Sequence, residues 1–190
     1  MKKEDIITLP QSQLRHTSSK VHVVTDETTS LIDDMVSAAL DWEDSRPHEI
    51  SAALAAIQIN RPHRVVIVRT DFDDKQTREF TALVNPEIVK YEGVIEADYE
   101  GCLSVSEVYG KVPRHTKIRV KALDASGNEV RFKAEGFLAR VIQHEVDHTN
   151  GIVFIDHIQE QKDAFYTLDE KGELQPLDYE KHIRNSDILW

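Results

Sequence analysis

The chain has 190 residues, enough for one domain with a sizeable core. Charged residues make up 30% and the hydrophobic set 40%, as in ordinary soluble proteins, and a formal net charge of -11 argues against a general nucleic-acid binder because an acidic surface repels phosphate. No apolar run is long enough to span a bilayer, the N-terminus lacks the apolar stretch of a secretory signal, and a single cysteine excludes an internal disulfide, so one cytoplasmic domain over residues 1–190 with no membrane partner is expected.

The first 30 residues are polar with scattered apolar positions and read as an irregular arm. Ser30 is predicted to open a helix, with Asp33 as its capping partner, and Leu31, Met35, Ala39 and Trp42 follow at helical spacing. The polar stretch from Asp41 to Glu49, with Pro47, ends it. Ser51 to Asn60 is a run of small residues. Arg64 to Thr70 reads as a strand, and Glu79 to Val84 as another, closed by Asn85-Pro86. Lys117 to Leu123 and Glu129 to Lys133 alternate apolar and polar residues around a hairpin turn, Asp124 to Asn128. Phe137 to Thr149 carries the strongest helix signal, stopped by Asn150-Gly151. A last short strand is expected over Ile152 to Ile155, then a polar tail (159–190) of short helical pieces or disorder. Strands in the middle with helices at both ends give an α+β class.

The chemistry lies in that strongest helix. His144 and His148 are four residues apart, a rise of about 6 Å and an offset of roughly 40°, so both rings leave one face. Two imidazoles so placed can grip one cation, and Glu145 between them can reach a water on it. A bare HExxH string also occurs on solvated helix faces. Here it sits in a longer string, Gln143-His144-Glu145-Val146-Asp147-His148, just before a helix stop. A third ligand is needed. The extended metalloprotease motif matches as far as Gly151 but has Phe154 where a third histidine belongs, and Glu160 and Glu170 lack a convincing context as a downstream glutamate ligand. A lone cysteine is usually a small buried hydrophobe. Cys102, however, stands in Glu100-Gly101-Cys102-Leu103-Ser104, beside a glycine on a turn that can aim its sulfur at a metal.

EGCLS and QHEVDH, in that order, resemble the second and third signature motifs of the peptide deformylases. Val112-Pro113-Arg114, Asn85-Pro86 and the stretch from Gly151 to Asp156 fit the family too, and the resemblance covers residues 6 to 158. It implies a deformylase-like fold, with small antiparallel or mixed sheets around a central HExxH helix. It also implies removal of the N-formyl group from the N-terminal methionine of nascent proteins. Cys102, His144 and His148 are then the ligands of one divalent metal ion, ferrous iron foremost, with zinc, nickel or cobalt as substitutes. Glu145 is the general base and acid, while the Gln58 side chain and the Leu103 backbone N–H donate to the developing oxyanion. Glu100 is placed to hold a ligating imidazole in its tautomer, and Arg114 to hold that carboxylate. The implied partners are N-formylmethionyl nascent peptides and, transiently, the ribosome, although the acidic tail lacks the basic helix with which some members dock there.

The first family motif, GxGLAAxQ, reads Ser51-Ala52-Ala53-Leu54-Ala55-Ala56-Ile57-Gln58, without either glycine. Ser51, Ala53 and Ile57 are expected to touch the substrate, and Ile57, Val141 and Ile142 to form the methionine pocket. Ser106 and Thr149 depart from the family's usual proline and leucine. Three other readings stay open: a different N-acyl substrate or reduced activity, a non-catalytic peptide-binding metalloprotein, and an endoprotease. Glu145 and Gln58 stand against the second, since binding alone needs neither, and Phe154 against the third.

Overall fold

The computed structural model describes residues 1–46, 48–72 and 74–189, and its class is α+β. Helix α1 (Asp26–Asp44) is followed by β1 (Ala53–Ala55), β2 (Val65–Arg69) and two long strands, β3 (Phe80–Cys102) and β4 (Val105–Leu123). Then come β5 (Glu129–Glu135), α2 (Gly136–Thr149), β6 (Phe165–Leu168), β7 (Leu174–Pro176) and the short α3 (Tyr179–His182). The strands join in one seven-stranded sheet of order β1-β2-β3-β4-β6-β7, with β5 also on β4. Every strand pairing in it is antiparallel. The small sheets expected from the sequence are therefore one continuous sheet.

Strand β2 shows why the core forms where it does. Val66 and Val68 cluster with Ile142 and Val146 of α2, while Val65 and Ile67 cluster with Met35 and Ala39 of α1. Successive strand side chains point to opposite faces. A strand covered by a helix on each face therefore reads as the unbroken run Val-Val-Ile-Val, and burying each such side chain contributes about 1.5–3 kcal/mol. A fully buried ion pair ties α1 to the end of β2. Arg69 Nη1 lies 2.6 Å from Glu43 Oε2, and the same oxygen accepts the Ser51 N–H at 2.9 Å. The helix thus fixes the start of the segment that leads into β1.

Several expectations are corrected. The N-terminal arm is docked: Leu14 is fully buried, and the N–H groups of Ile7 and Leu9 donate to the carbonyls of Gln58 (2.8 Å) and Ser104 (2.9 Å). Helix α1 begins at Asp26, because Thr25 supplies the cap and its N–H donates to Thr28 Oγ1 at 3.3 Å. It ends at Asp44; Pro47, read as its stop, lies outside the described residues. Asn85-Pro86 does not close β3. Asn85 takes a φ of 53° at a register shift, and its side chain brackets Val21, accepting from its N–H at 2.9 Å and donating to its carbonyl at 2.8 Å. The stretch expected as a last strand is a 3-10 turn at Phe154–His157, closed by the Val153 N–H donating to Asp156 Oδ2 at 2.8 Å. The tail holds short helical pieces as expected, at Lys162–Ala164 and in α3, but between them it forms the β6–β7 hairpin, with Phe165 and Ile183 buried among Val105, Val112 and Phe154.

The helix stop is as expected, and it yields a prediction. Gly151 has a φ of 76°, and a Cβ there would lie 2.3 Å from the Arg15 carbonyl oxygen. Gly151→Ala should lower stability by about 2 kcal/mol or more, since strain and clash add. Urea unfolding at fixed metal concentration checks this through a lower midpoint with an unchanged slope.

Candidate metal centre

Two elements, α2 and the end of β3, bring the donor atoms together. His144 and His148 sit one turn apart on α2, with ring centroids 4.9 Å apart and planes at 73°. Cys102 ends β3 and pairs with Val105 across the two-residue turn Leu103-Ser104, which swings its sulfur to 3.2 Å from His148 Nε2. One ligand atom from each of Cys102, His144 and His148 lies within 4.8 Å of the others, the one such group found among the described residues. Phe154, which fills the place of a metalloprotease's third histidine, stacks against the His144 ring at 6.0 Å.

Behind the ligands lies a buried charge cluster centred on Glu100. Oε1 accepts from Arg114 Nε at 2.9 Å and from Arg140 Nη1 at 2.8 Å. Oε2 accepts from Arg114 Nη2 at 3.1 Å and lies 2.9 Å from His144 Nδ1. Burial alone would raise the Glu100 pKa, but the hydrogen bonds from His144 and Arg114 reverse that and hold it below the usual carboxylate range. The carboxylate takes the Nδ1 side of His144 and so leaves Nε2 to face Cys102. Arg114 also reaches Asp147 at 2.5 Å, and Asp147 in turn holds His157 Nε2 at 2.7 Å. Arg140 has no role in the sequence reading. It spends its other N–H groups on the carbonyls of Val112 (2.7 Å) and Glu96 (2.8 Å). A signal for it was present: Arg140, His144 and His148 follow each other at four-residue steps along one face of α2. Glu100→Gln should keep the fold yet cut metal affinity by about 10- to 100-fold. Competition with a fluorescent chelator measures this; an unchanged affinity would reduce Glu100 to a structural ion pair.

The donor set fits a divalent cation. Thiolate and imidazole suit iron and zinc alike. Burial would lower the His144 pKa, yet contact with Cys102 and Glu100 raises it well above the ordinary value, so the pocket favours positive charge. His148 goes the other way. Burial, with His144 beside it, holds its pKa well below the ordinary value. Glu145 is 4% exposed, and its Oε2 has no hydrogen-bond partner among the described residues. Burial, only partly offset by His144, pushes its pKa up to about 7. Gln58 is anchored by the Ala55 N–H donating to Oε1 at 2.8 Å, which turns Nε2 toward Ser104 Oγ (3.1 Å) and Cys102 Sγ (3.5 Å). The sequence reading gave Ser104 no part, although it lies within the cysteine motif. Its N–H also points at Cys102 Sγ, at 3.4 Å.

These groups open onto a cavity of about 400 Å³ whose walls include Ala53, Leu103, Val141, His144 and Glu145. Of the expected substrate contacts, Ala53 lines it. Ser51 and Ile57 do not: Ser51 is fully buried under Glu43, and Ile57 packs into the core with Val66. Ile50 and Ala52 take their place at the wall. Ile142 likewise belongs to the core and leaves Val141 as the apolar wall beside His144. The lost glycines of the first motif cause no backbone strain, since neither Ser51 nor Ala53 has a positive φ.

The family model described as polypeptide deformylase matches residues 3–164. A peptide deformylase of Brachyspira hyodysenteriae is 40% identical over 157 residues, 82% of this chain and 80% of that protein. A peptide deformylase structure from Legionella pneumophila superposes with a TM-score of 0.68 at 38% identity, covering 80% of this chain and 83% of that one. The class I type b peptide deformylase of Acinetobacter baumannii, solved with Met-Ala-Ser bound, superposes with a TM-score of 0.71 at 29% identity, covering 80% of this chain and 96% of that one.

Proposed function

The chain belongs to the polypeptide deformylase family, and on that premise we propose that it removes the N-formyl group from the N-terminal methionine of nascent proteins. One juxtaposition carries the reading: the Cys102 sulfur and the imidazoles of His144 and His148 beside the buried carboxylate of Glu145, whose Oε2 has no hydrogen-bond partner among the described residues. A divalent cation held by those three residues supplies Lewis acidity and makes water acidic enough, with a pKa of about 7, to serve as a nucleophile at neutral pH. We favour ferrous iron, with zinc, nickel or cobalt as substitutes.

The remaining work falls to the chain's own groups. Glu145 accepts the proton of the attacking water and returns it to the departing amine, and a carboxyl group poised near 7 suits both transfers. Gln58 donates from Nε2 to the formyl oxygen as negative charge develops there, and the Leu103 N–H is the second donor. The Ala55 N–H keeps the Gln58 amide in the orientation that this requires. The peptide backbone lies along Ala52 and Ala53 as an added strand, with the methionine side chain against Val141. Nascent chains as substrate place the reaction in the cytoplasm, with at most a transient contact with the ribosome.

Met-Ala-Ser, the tripeptide in the Acinetobacter structure, is what formyl-Met-Ala-Ser leaves after losing its formyl group. The test is therefore formyl-Met-Ala-Ser, acetyl-Met-Ala-Ser and casein offered side by side to anaerobically prepared, metal-loaded protein. Formate from the first alone is the expected result. Comparable release of acetate would favour another N-acyl substrate, and cut casein would favour an endoprotease. Binding without any cleavage would leave a peptide-binding metalloprotein.

A further inference from the structure

The N-terminal arm is hydrogen-bonded, backbone to backbone, to all three segments that build the candidate site. The Ile7 N–H donates to the Gln58 carbonyl at 2.8 Å, the Leu9 N–H to the Ser104 carbonyl at 2.9 Å, and the Ser18 N–H to the Thr149 carbonyl at 2.9 Å. Gln58 belongs to the 3-10 turn Ala56–Ile59 after β1, Ser104 to the turn between Cys102 and Val105, and Thr149 ends α2 next to His148. Two of these contacts fall on the oxyanion donors. Gln58 carries one donor in its side chain, and Ser104 follows Leu103, whose N–H is the other. Gln58 and Leu103 line the cavity, whereas no described residue of the arm does. The arm therefore acts from behind, without touching substrate.

This placement sets a distance. Ile6 is extended, with φ -75° and ψ 113°, and the nitrogens of Ile7 and Leu9 are two residues apart, a span of at most about 7 Å. The carbonyls they hold cannot drift apart without breaking a hydrogen bond. Side chains fasten the arm as well. Ile6 is 7% exposed in the core cluster on which Leu103 packs, and Leu9 packs with Cys102 on the cluster of Val105 and Phe154. The turn has little other support: β3 and β4 pair with each other at Cys102 and Val105, and among the described residues no third strand pairs with them there. Oxyanion donors stabilise charge only when they are preset at about 3 Å from where it forms. Tying Gln58 and the Leu103-Ser104 turn to one short extended segment presets them relative to each other.

We propose that Ile7 and Leu9 are positioning residues, whose backbone N–H groups strap Gln58 and the Leu103-Ser104 turn at the separation that the two oxyanion donors require. This rests on the deformylase reading, because it needs an oxyanion at those donors. The test replaces Ile7 or Leu9, in the full chain, by the α-hydroxy acid with the same side chain, which turns one backbone N–H into an ester oxygen. Each replacement should lower kcat for formyl-Met-Ala-Ser by about 10-fold or more, since a misplacement of about 1 Å can cost about 100-fold. KM, calorimetric affinity for Met-Ala-Ser and bound metal should stay close to wild type, which a general loosening of the fold would not allow. The same replacement at Thr8, whose N–H has no hydrogen-bond partner among the described residues, should leave kcat unchanged. Amide hydrogen exchange at Val105, which pairs with Cys102 across the turn, reads the strap without turnover: the Leu9 ester should speed it by about 10-fold and the Thr8 ester should not. Wild-type kcat in both the Ile7 and Leu9 esters, or an equal fall in the Thr8 ester, would overturn the proposal. Should an ester chain fail to fold, Ile6→Ala takes its place, loosening the anchor while keeping both N–H groups. A lower kcat at unchanged KM then supports the strap, and an unchanged kcat overturns it. Should the wild type release no formate, the deformylase reading fails separately. Exchange at Val105 then decides the strap: faster exchange in the Leu9 ester alone supports it, and equal exchange in the Leu9 and Thr8 esters overturns it.

Discussion

Glu145→Gln should reduce kcat by at least about 1,000-fold while metal content and KM stay close to wild type. The amide has the shape of the carboxylate but cannot accept the water's proton, so the variant isolates the proton transfer. The same substitution should not cost stability, and should raise the melting temperature if anything. A buried carboxylate oxygen without a partner is expensive to keep, and its pKa of about 7 records that expense. Loss of function together with retained or increased stability is the mark of a residue kept for chemistry rather than for packing. Single-turnover kinetics and calorimetric unfolding give the two halves of the result. A variant retaining a tenth of the wild-type rate would remove Glu145 from the proposed mechanism.

Cys102→Ala should abolish activity by a different route, through loss of the metal. Replacing groups that merely orient metal ligands typically costs 10- to 100-fold in affinity, so removing one of three ligands should cost more than about 100-fold. Cys102 is the suitable ligand to change. It is half-buried at the end of β3, whereas His148 is fully buried and its removal would open the core. The variant should therefore unfold with nearly the wild-type denaturant slope while binding metal weakly. Tight binding of one equivalent by Cys102→Ala would mean that the ion sits elsewhere. The two variants separate cleanly: Glu145→Gln holds metal without turnover, and Cys102→Ala lacks both.

What the sequence revealed followed from period and spacing. Helix α2, strand β2 and the turn at Asp124 to Asn128 were legible because each has a strong local signal: a 3.6-residue apolar stripe, an apolar run, and turn residues with Gly127 at a φ of 83°. The grouping of Cys102 with His144 and His148 was legible as a pair of motifs, although nothing local says that β3 must end against α2. The exposed length of β3 was not legible. From Lys90 to Tyr99 most of its side chains face solvent, so no alternation marks the strand, and the ladder with β4 alone defines it. The N-terminal arm was missed for a related reason, since it is held by scattered contacts with distant residues: single backbone hydrogen bonds, the Asn85 bracket on Val21, the Arg15–Asp156 ion pair and the isolated anchors Ile6 and Leu14. Arg140 was missed because a charged residue on a helix is ordinarily read as solvated. Only the carbonyls of β3 and β4 around it, together with Glu100, explain why it is buried. Ser51 and Ile57 were assigned to the wrong side of their segment because the register of a three-residue strand followed by a 3-10 turn cannot be read from small residues.

The most direct test of the account follows metal content and formate release on one anaerobic sample, through chelation and reloading, with formyl-Met-Ala-Ser as substrate. One divalent ion per chain, with formate release that falls and recovers in proportion to occupancy, is the predicted result. Full-rate formate release from metal-free protein, or none from fully loaded protein, would contradict the claim that Cys102, His144 and His148 hold a hydrolytic metal beside Glu145.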